Sequence, residues 1–270
     1  MVLVFLFLYA PIFVLIVFSF NATKSRSVWS GFSLQWYIKL FQNTRILEAL
    51  YTTLLVSVIA AVIATIVGTA ASIGFFGMKR RPRTLCMSVS NITMTNAEII
   101  TGVSMMLLFV FAGQFFQFKL GFGTLLIAHI TFDIPYVILS VLPKLRQLDP
   151  NIYEAAQDLG ATGFYAFRKV VLPEIMPGVL NGMLIAFTMS IDDFIISYFT
   201  AGSQTSTLAL EIYSMTRKRI SPEINALSTL MFLTVLILLV VVNVRQVRQE
   251  KTLKRKTAVL TSDENAAILD

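Results

Sequence analysis

The sequence predicts an all-α integral membrane protein with six transmembrane helices, and three observations carry that expectation. Hydrophobic residues make up 56% of the 270 and charged residues 14%, where a soluble domain carries about 25% charged residues. The mean hydropathy is +0.75. The apolar residues fall in continuous runs rather than alternating ones, which favours helices over a barrel.

A spanning helix needs about 20 apolar residues. Six segments qualify, at about 1–20, 48–76, 85–111, 121–143, 178–200 and 224–244, giving a transmembrane domain over 1–244 and a polar tail over 245–270. The first starts at Met1 without a basic flank and is longer than a signal-peptide core, so it reads as a retained span. The second carries Ala60, Ala64, Gly68 and Ser72 at four-residue intervals, a small-residue stripe suited to close packing inside the chain. Pro135, Pro143 and Pro177 lie in or beside spans four and five, where local breaks are expected. The segments 21–47 and 201–223 have room for short surface helices or loops.

The formal charge of +7 follows topology and does not indicate a nucleic-acid partner. Lys79, Arg80, Arg81 and Arg83 lie between spans two and three; Lys144, Arg146, Arg168 and Lys169 lie between spans four and five; a further basic run from Arg245 follows span six. The positive-inside rule places these regions, and both termini, in the cytoplasm. The Arg217–Arg219 cluster opposes the trend without reversing it.

Several chemistries are missing. There is no G-x-x-x-x-G-K-[ST] phosphate loop, no metal-spaced His or Cys cluster and no Ser-His-Asp arrangement, so neither an enzyme nor a cofactor or metal site is expected. The lone Cys86 rules out an internal disulfide.

Four acids fall within the spans: Glu98, Asp133, Asp192 and Asp193. Charged groups at such depth are costly and face a cavity or a partner. No Lys or Arg accompanies them, which suits a cationic solute. On a continuous helix Asp193 shares a stripe with Ser190, Ser197 and Thr200, whereas Asp192 shares one with Ile185, Thr188 and Ile196. Asp193 is therefore expected to face the pathway, and Asp192 a helix interface. Glu98 shares a face with Thr95 and Gly102. His129 and Asp133, at i and i+4, read first as a hydrogen-bonded pair.

The polar stretch 149–177, DPNIYEAAQDLGATGFYAFRKVVLPEIMP, separates spans four and five. Asp149 is a good N-cap and Pro150 suits the first helical position. Ile152, Ala155, Ala156 and Leu159 form one apolar face, and Gly160 can end the helix in a left-handed turn. Thr162 can start a second helix with Phe164, Phe167 and Val171 on its apolar side, broken by Pro173 and Pro177. The two alanines leave a shallow surface that another protein can approach.

The spacing of Glu154, Ala155, Ala156, Gly160, Leu172 and Pro173 resembles the EAA loop of type I ABC-importer permeases, with Val170 in place of the usual Ile. The stretches SFN at 19–21, WSGFSLQWY at 29–37, HITF at 129–132, SIDDF at 190–194 and IYSMTRKRISPEINALST at 212–229 resemble the spermidine/putrescine permeases among them. The chain departs from that pattern at Ala97, where the family often has Pro, and at Asp133. The resemblance implies a subunit of a bacterial inner-membrane importer, embedded in lipid. Its partners would be a sister permease, two copies of a cytoplasmic ABC ATPase that binds ATP and Mg, and an extracytoplasmic polyamine-binding protein. It also implies that Glu154, Ala155, Ala156, Gly160, Leu172 and Pro173 couple to the ATPase. The intramembrane acids would line the path of the polyamine. An ABC permease for another organic cation or a metal chelate remains open. So does an ion-driven secondary transporter, which the EAA spacing disfavours.

Overall fold

The computed structural model describes residues 2–23, 28–149, 151–218, 223–237, 240 and 244. Pro150, Arg219 and the expected tail 245–270 lie outside them. Every named element is a helix: α1 Val2–Ser19, α2 Gln35–Gln42, α3 Thr44–Gly77, α4 Arg80–Thr95, α5 Glu98–Phe116, α6 Phe122–Gln147, α7 Asn151–Asp158, α8 Gly163–Ala166, α9 Leu172–Asp192, α10 Ile195–Thr200, α11 Leu208–Lys218 and α12 Glu223–Ile237. Among the described residues four helical segments are long and apolar enough to cross a membrane: α3, α5, α6 and the continuous stretch Gly163–Asp192.

The chain divides into two units, Met1–Leu40 with Ser221–Asp270, and Phe41–Ile220. In the first, α1 ends in a loop organised by Asn21. The Asn21 side chain donates to the Val28 carbonyl (2.9 Å) and accepts from the Ser30 backbone N–H (3.0 Å), while its own carbonyl accepts from the Trp36 indole (2.7 Å). Phe20 stacks on Phe32 with centroids 5.2 Å apart, closing the loop on its apolar side.

In the second unit α3, α6 and α9 form the frame. Ala61, Ala64, Val137, Val141, Leu145, Ile175 and Ala186 share one buried cluster. The stripe on α3 faces inward as expected, with Ala60, Ala64 and Ser72 fully buried. Small residues set the helix spacing. A Cβ at Gly68 would sit 2.8 Å from the Val137 Cβ, and one at Gly178 would sit 2.9 Å from the Ser140 carbonyl oxygen. Helices α3 and α6 run parallel, since Val56 clusters with Leu125 at one end and Gly68 meets Val137 further along. Helix α9 runs against them, with Gly178 and Gly182 at Ser140 and Ser190 at His129. Asn181 donates to Ser140 Oγ (3.0 Å), which donates to the Gly178 carbonyl (3.0 Å).

Three expectations are corrected. Span three, expected over 85–111, is interrupted: Asn96 and Ala97 adopt extended backbone (ψ 148° and 132°) between α4 and α5. Span five, expected over 178–200, is interrupted at Asp193 (ψ 123°) between α9 and α10. Neither break is marked by Gly or Pro, so apolar runs read straight across them. Conversely, Pro173 and Pro177 do not separate the polar loop from span five. A wide π-turn over Phe167–Val171, in which the Leu172 N–H reaches back to the Phe167 carbonyl, joins α8 to α9. Its extra residue brings the buried Ala166 and Val171, five apart, into phase with Ile175.

The tight glycine contacts generate a paired test. Gly178→Ala should destabilise the detergent-solubilised protein by about 1–3 kcal/mol, because the new methyl meets backbone that cannot move without separating α6 from α9. Gly74→Ala, with nothing within 4 Å of its Cβ, should leave the melting midpoint unchanged or raise it. Thermal melts of both variants read the difference.

Candidate functional site

The two interruptions meet halfway along α6. Helix α5 packs on α10 at Gly102, whose added Cβ would lie 2.9 Å from Phe199 Cδ2 and 3.4 Å from the Ile195 carbonyl oxygen. One turn earlier on α5, Glu98 lies within electrostatic reach of Tyr136 on α6, as does Asp133. Asp133 and Asp192 are each within reach of Asp193. Tyr136 precedes the Gln147 end of α6 by about 16 Å of helix rise. The four acids picked out in the sequence therefore gather at mid-helix depth, from three different elements.

Their orientations differ from expectation. Asp193 is buried, and it caps α10: its carboxylate accepts from the backbone N–H groups of Ile196 (3.1 Å) and Ser197 (2.7 Å). Asp192, the last residue of α9, is exposed. Asp193 thus points inward and Asp192 outward, whereas the stripe assignment assumed a helix running through 193. Glu98 is also exposed, in the first turn of α5, where a negative charge suits the helix dipole.

His129 holds the break. Its Nδ1 lies 2.7 Å from Ser190 Oγ on α9, its Nε2 lies 3.1 Å from Ser197 Oγ on α10, and the same nitrogen is 3.6 Å from Asp193 Oδ2. The Asp193 carboxylate thus meets a basic side chain. The expected His129–Asp133 pair does not form, since the two serines take both ring nitrogens. Asp133 is fully buried, and neither of its oxygens has a hydrogen-bond partner. Sequence reasoning missed the network, although an Asp three residues ahead of Ile196 has the spacing of a helix cap. It also missed an aromatic group beside Asp192. Phe194 lies 4.8 Å from Tyr213 and 5.8 Å from Tyr198, ring to ring, and Tyr198 is exposed.

The polar loop forms a second site at the Gln147 end. Asp149 Oδ1 accepts from the Asn151 N–H (2.9 Å) and starts α7. Gly160 takes a left-handed φ of +85°, and Thr162 Oγ1 accepts from the Tyr165 N–H to start α8. Tyr153 folds over Gly163, whose Cβ would lie 2.9 Å from the phenol oxygen. The apolar face of the loop is uncovered: Leu159 is 90% exposed and Phe164 74%. Ala156, Leu159, Gly160, Ala161, Thr162, Tyr165, Ala166 and Val170 line a depression of about 510 Å³. Of the six residues expected to act together, Ala156 and Gly160 line it and Glu154 and Ala155 are exposed on α7. Leu172 instead packs against the core, and Pro173 is exposed beyond the π-turn.

Comparison with known proteins agrees with this geometry. Residues 64–255 match the family described as binding-protein-dependent transport system inner membrane component. The chain is 36% identical over 252 residues, 93% of both chains, to the spermidine/putrescine transport system permease protein PotC of Escherichia coli (strain K12). It is 38% identical over 230 residues, 84% of this chain and 82% of the relative, to the putrescine transport system permease protein PotI of the same organism. Its fold is similar to a chain of a bacterial ABC transporter that imports alginate, with a TM-score of 0.71 at 15% identity over 92% of both chains.

The histidine network generates a stability test. His129→Leu removes two buried hydrogen bonds, each worth about 0.6 kcal/mol inside a membrane protein, so a loss on the order of 1 kcal/mol is expected. His129→Gln, whose amide can reach both serines, should recover most of it in the same thermal melt.

Proposed function

Since the chain belongs to the inner-membrane components of binding-protein-dependent transport systems, within the group of spermidine/putrescine permeases, we propose that it forms one half of the pathway of an ATP-driven polyamine importer. The observation that carries this reading is the pair of exposed acids, Glu98 and Asp192, on helices apolar enough to cross a membrane. A carboxylate at that depth does not face lipid. The surface bearing it meets water and a second permease.

The chemistry fits a polyamine. Such a molecule carries ammonium groups along a methylene chain, so it needs separated anionic points with apolar or aromatic surface between them. Glu98 and Asp192 supply the charges, with Asp133 behind them in the wall. The Phe194, Tyr198 and Tyr213 rings offer faces that attract ammonium groups. Asp193, committed to α10 and His129, holds the backbone rather than the substrate.

Six crossings complete the half-pathway: α1, α3, α4 with α5, α6, α9 with α10, and the segment that begins with α12. The Lys/Arg distribution supports a cytoplasmic polar loop and cytoplasmic termini. There the uncovered face of α7 and α8 docks on one of two copies of an ABC ATPase, which binds ATP and Mg. The chain contributes docking, pathway and gating; hydrolysis belongs to the ATPase. An extracytoplasmic binding protein delivers the polyamine to the opposite face, and substrate crosses between the two permeases as they alternate in access.

Asp192→Asn tests the pathway directly. The complex should assemble and hydrolyse ATP, while uptake of labelled spermidine into cells falls about tenfold or more, the cost of losing one charged hydrogen-bond partner. Unchanged uptake in both Asp192→Asn and Glu98→Gln would overturn the assignment.

A further inference from the structure

Helix α4 buries none of its residues within this chain, yet it touches both α6 and α3. Arg146, in the last turn of α6, points its Nη2 at Met87 Sδ (3.7 Å), which places the middle of α4 near the Gln147 end of α6. Thr95 then leads through the break at Asn96–Ala97 to Glu98, beside Tyr136. The second half of α4, from Ser88 to Thr95, therefore runs beside the part of α6 between Gln147 and Tyr136.

Its exposed residues sort into two rows. Thr84, Ser88, Asn91 and Thr95, at intervals of four, three and four, form one stripe, and all are exposed. Leu85 (69% exposed), Val89 (66%) and Ile92 (55%) form the next. The apolar row suits hydrocarbon or an apolar partner helix. The polar row does not, because in lipid the Asn91 amide would lack partners and the hydroxyl oxygens would face hydrocarbon.

We propose that the row Ser88, Asn91 and Thr95, opening at Thr84, is the cytoplasmic half of the cation path, taking ammonium groups from Glu98 down to the cytoplasm. This rests on the importer reading above. The two threonines of the row favour a cation. Thr84 Oγ1 donates to the Arg80 carbonyl (2.8 Å) and Thr95 Oγ1 to the Asn91 carbonyl (2.9 Å). With their protons committed inward, these oxygens present lone pairs outward, which accept from an ammonium group and offer an anion nothing. Neutral oxygens also hold a cation less strongly than the acids above them, so each step releases as readily as it binds. Arg80, at the start of the same row, marks where the stripe reaches the headgroup level.

Single cysteines test the row, in a Cys86→Ser background and in the full complex in inside-out membrane vesicles. The thiolate attacks thiol reagents, and it forms only where water reaches. Cysteine at Ser88, Asn91 or Thr95 should react about tenfold or more faster with a small cationic water-soluble reagent than cysteine at Leu85, Val89 or Ile92. Spermidine should slow the reaction at the polar row, and an anionic reagent of equal size should react more slowly there. Equal rates, the reverse order, or six unreactive positions would overturn the proposal; the last result would mean that the row packs against a partner. Spermidine uptake by the Cys86→Ser parent is measured alongside. Uptake with an unreactive row rejects the path and leaves the importer standing. A reactive row without uptake rejects the polyamine and with it the proposed cargo of the row.

Discussion

An interrupted helix inside a membrane exposes backbone N–H groups that lipid cannot satisfy, and the structure depends on how Asp193 meets that constraint. Its carboxylate takes the first free N–H groups of α10, and the His129 imidazole ties the capped turn to α6 through Ser190 and Ser197. The rest of the mid-depth arrangement follows. Ending α9 at residue 192 leaves Asp192 exposed, and redirecting the chain lays α10 against Gly102 of α5. Glu98 is thereby brought to the same level, so one capping interaction sets where two acids stand.

The frame around this break is built for rigidity. Gly68, Gly178 and Gly182 let α3, α6 and α9 approach until backbone meets side chain, and no space remains for one helix to slide past another without separating. Helix α9 links the two candidate sites. It begins at the π-turn beside the polar loop and ends at Asp192, 21 residues and about 30 Å later. A force on α7 and α8 from a docked ATPase would reach the acids through one packed rod. The wide turn over Phe167–Val171 keeps the buried faces of loop and span aligned, so such a push would be directed along α9.

Spans two and four were legible because long apolar runs bounded by polar residues leave few alternatives: α3 covers 44–77 against an expected 48–76, and α6 covers 122–147 against 121–143. The loop was equally legible, since Gly160 and Thr162 act through local chemistry, a positive φ and a side-chain cap. The breaks were not. Asn96–Ala97 and Asp193–Phe194 carry no Gly or Pro, and the second is held by His129, 64 residues away in sequence. Periodicity across 193 therefore pointed the wrong acid outward. Pro173 and Pro177 misled in the opposite direction: Pro173 sits at the start of α9, where no N–H is needed, and Pro177 lies inside α9 without ending it. All four acids were named from composition at depth; their partners depend on tertiary contacts that no local pattern encodes.

The central claim is that acids at mid-membrane breaks serve a cation path driven by a partner ATPase. Proteoliposomes containing this chain, its sister permease, the ATPase and the loaded binding protein test it most directly. The account predicts polyamine accumulation when ATP is present on the ATPase side, and none when any one component or ATP is omitted. Accumulation by this chain alone, driven by a proton or sodium gradient without ATP, would contradict it.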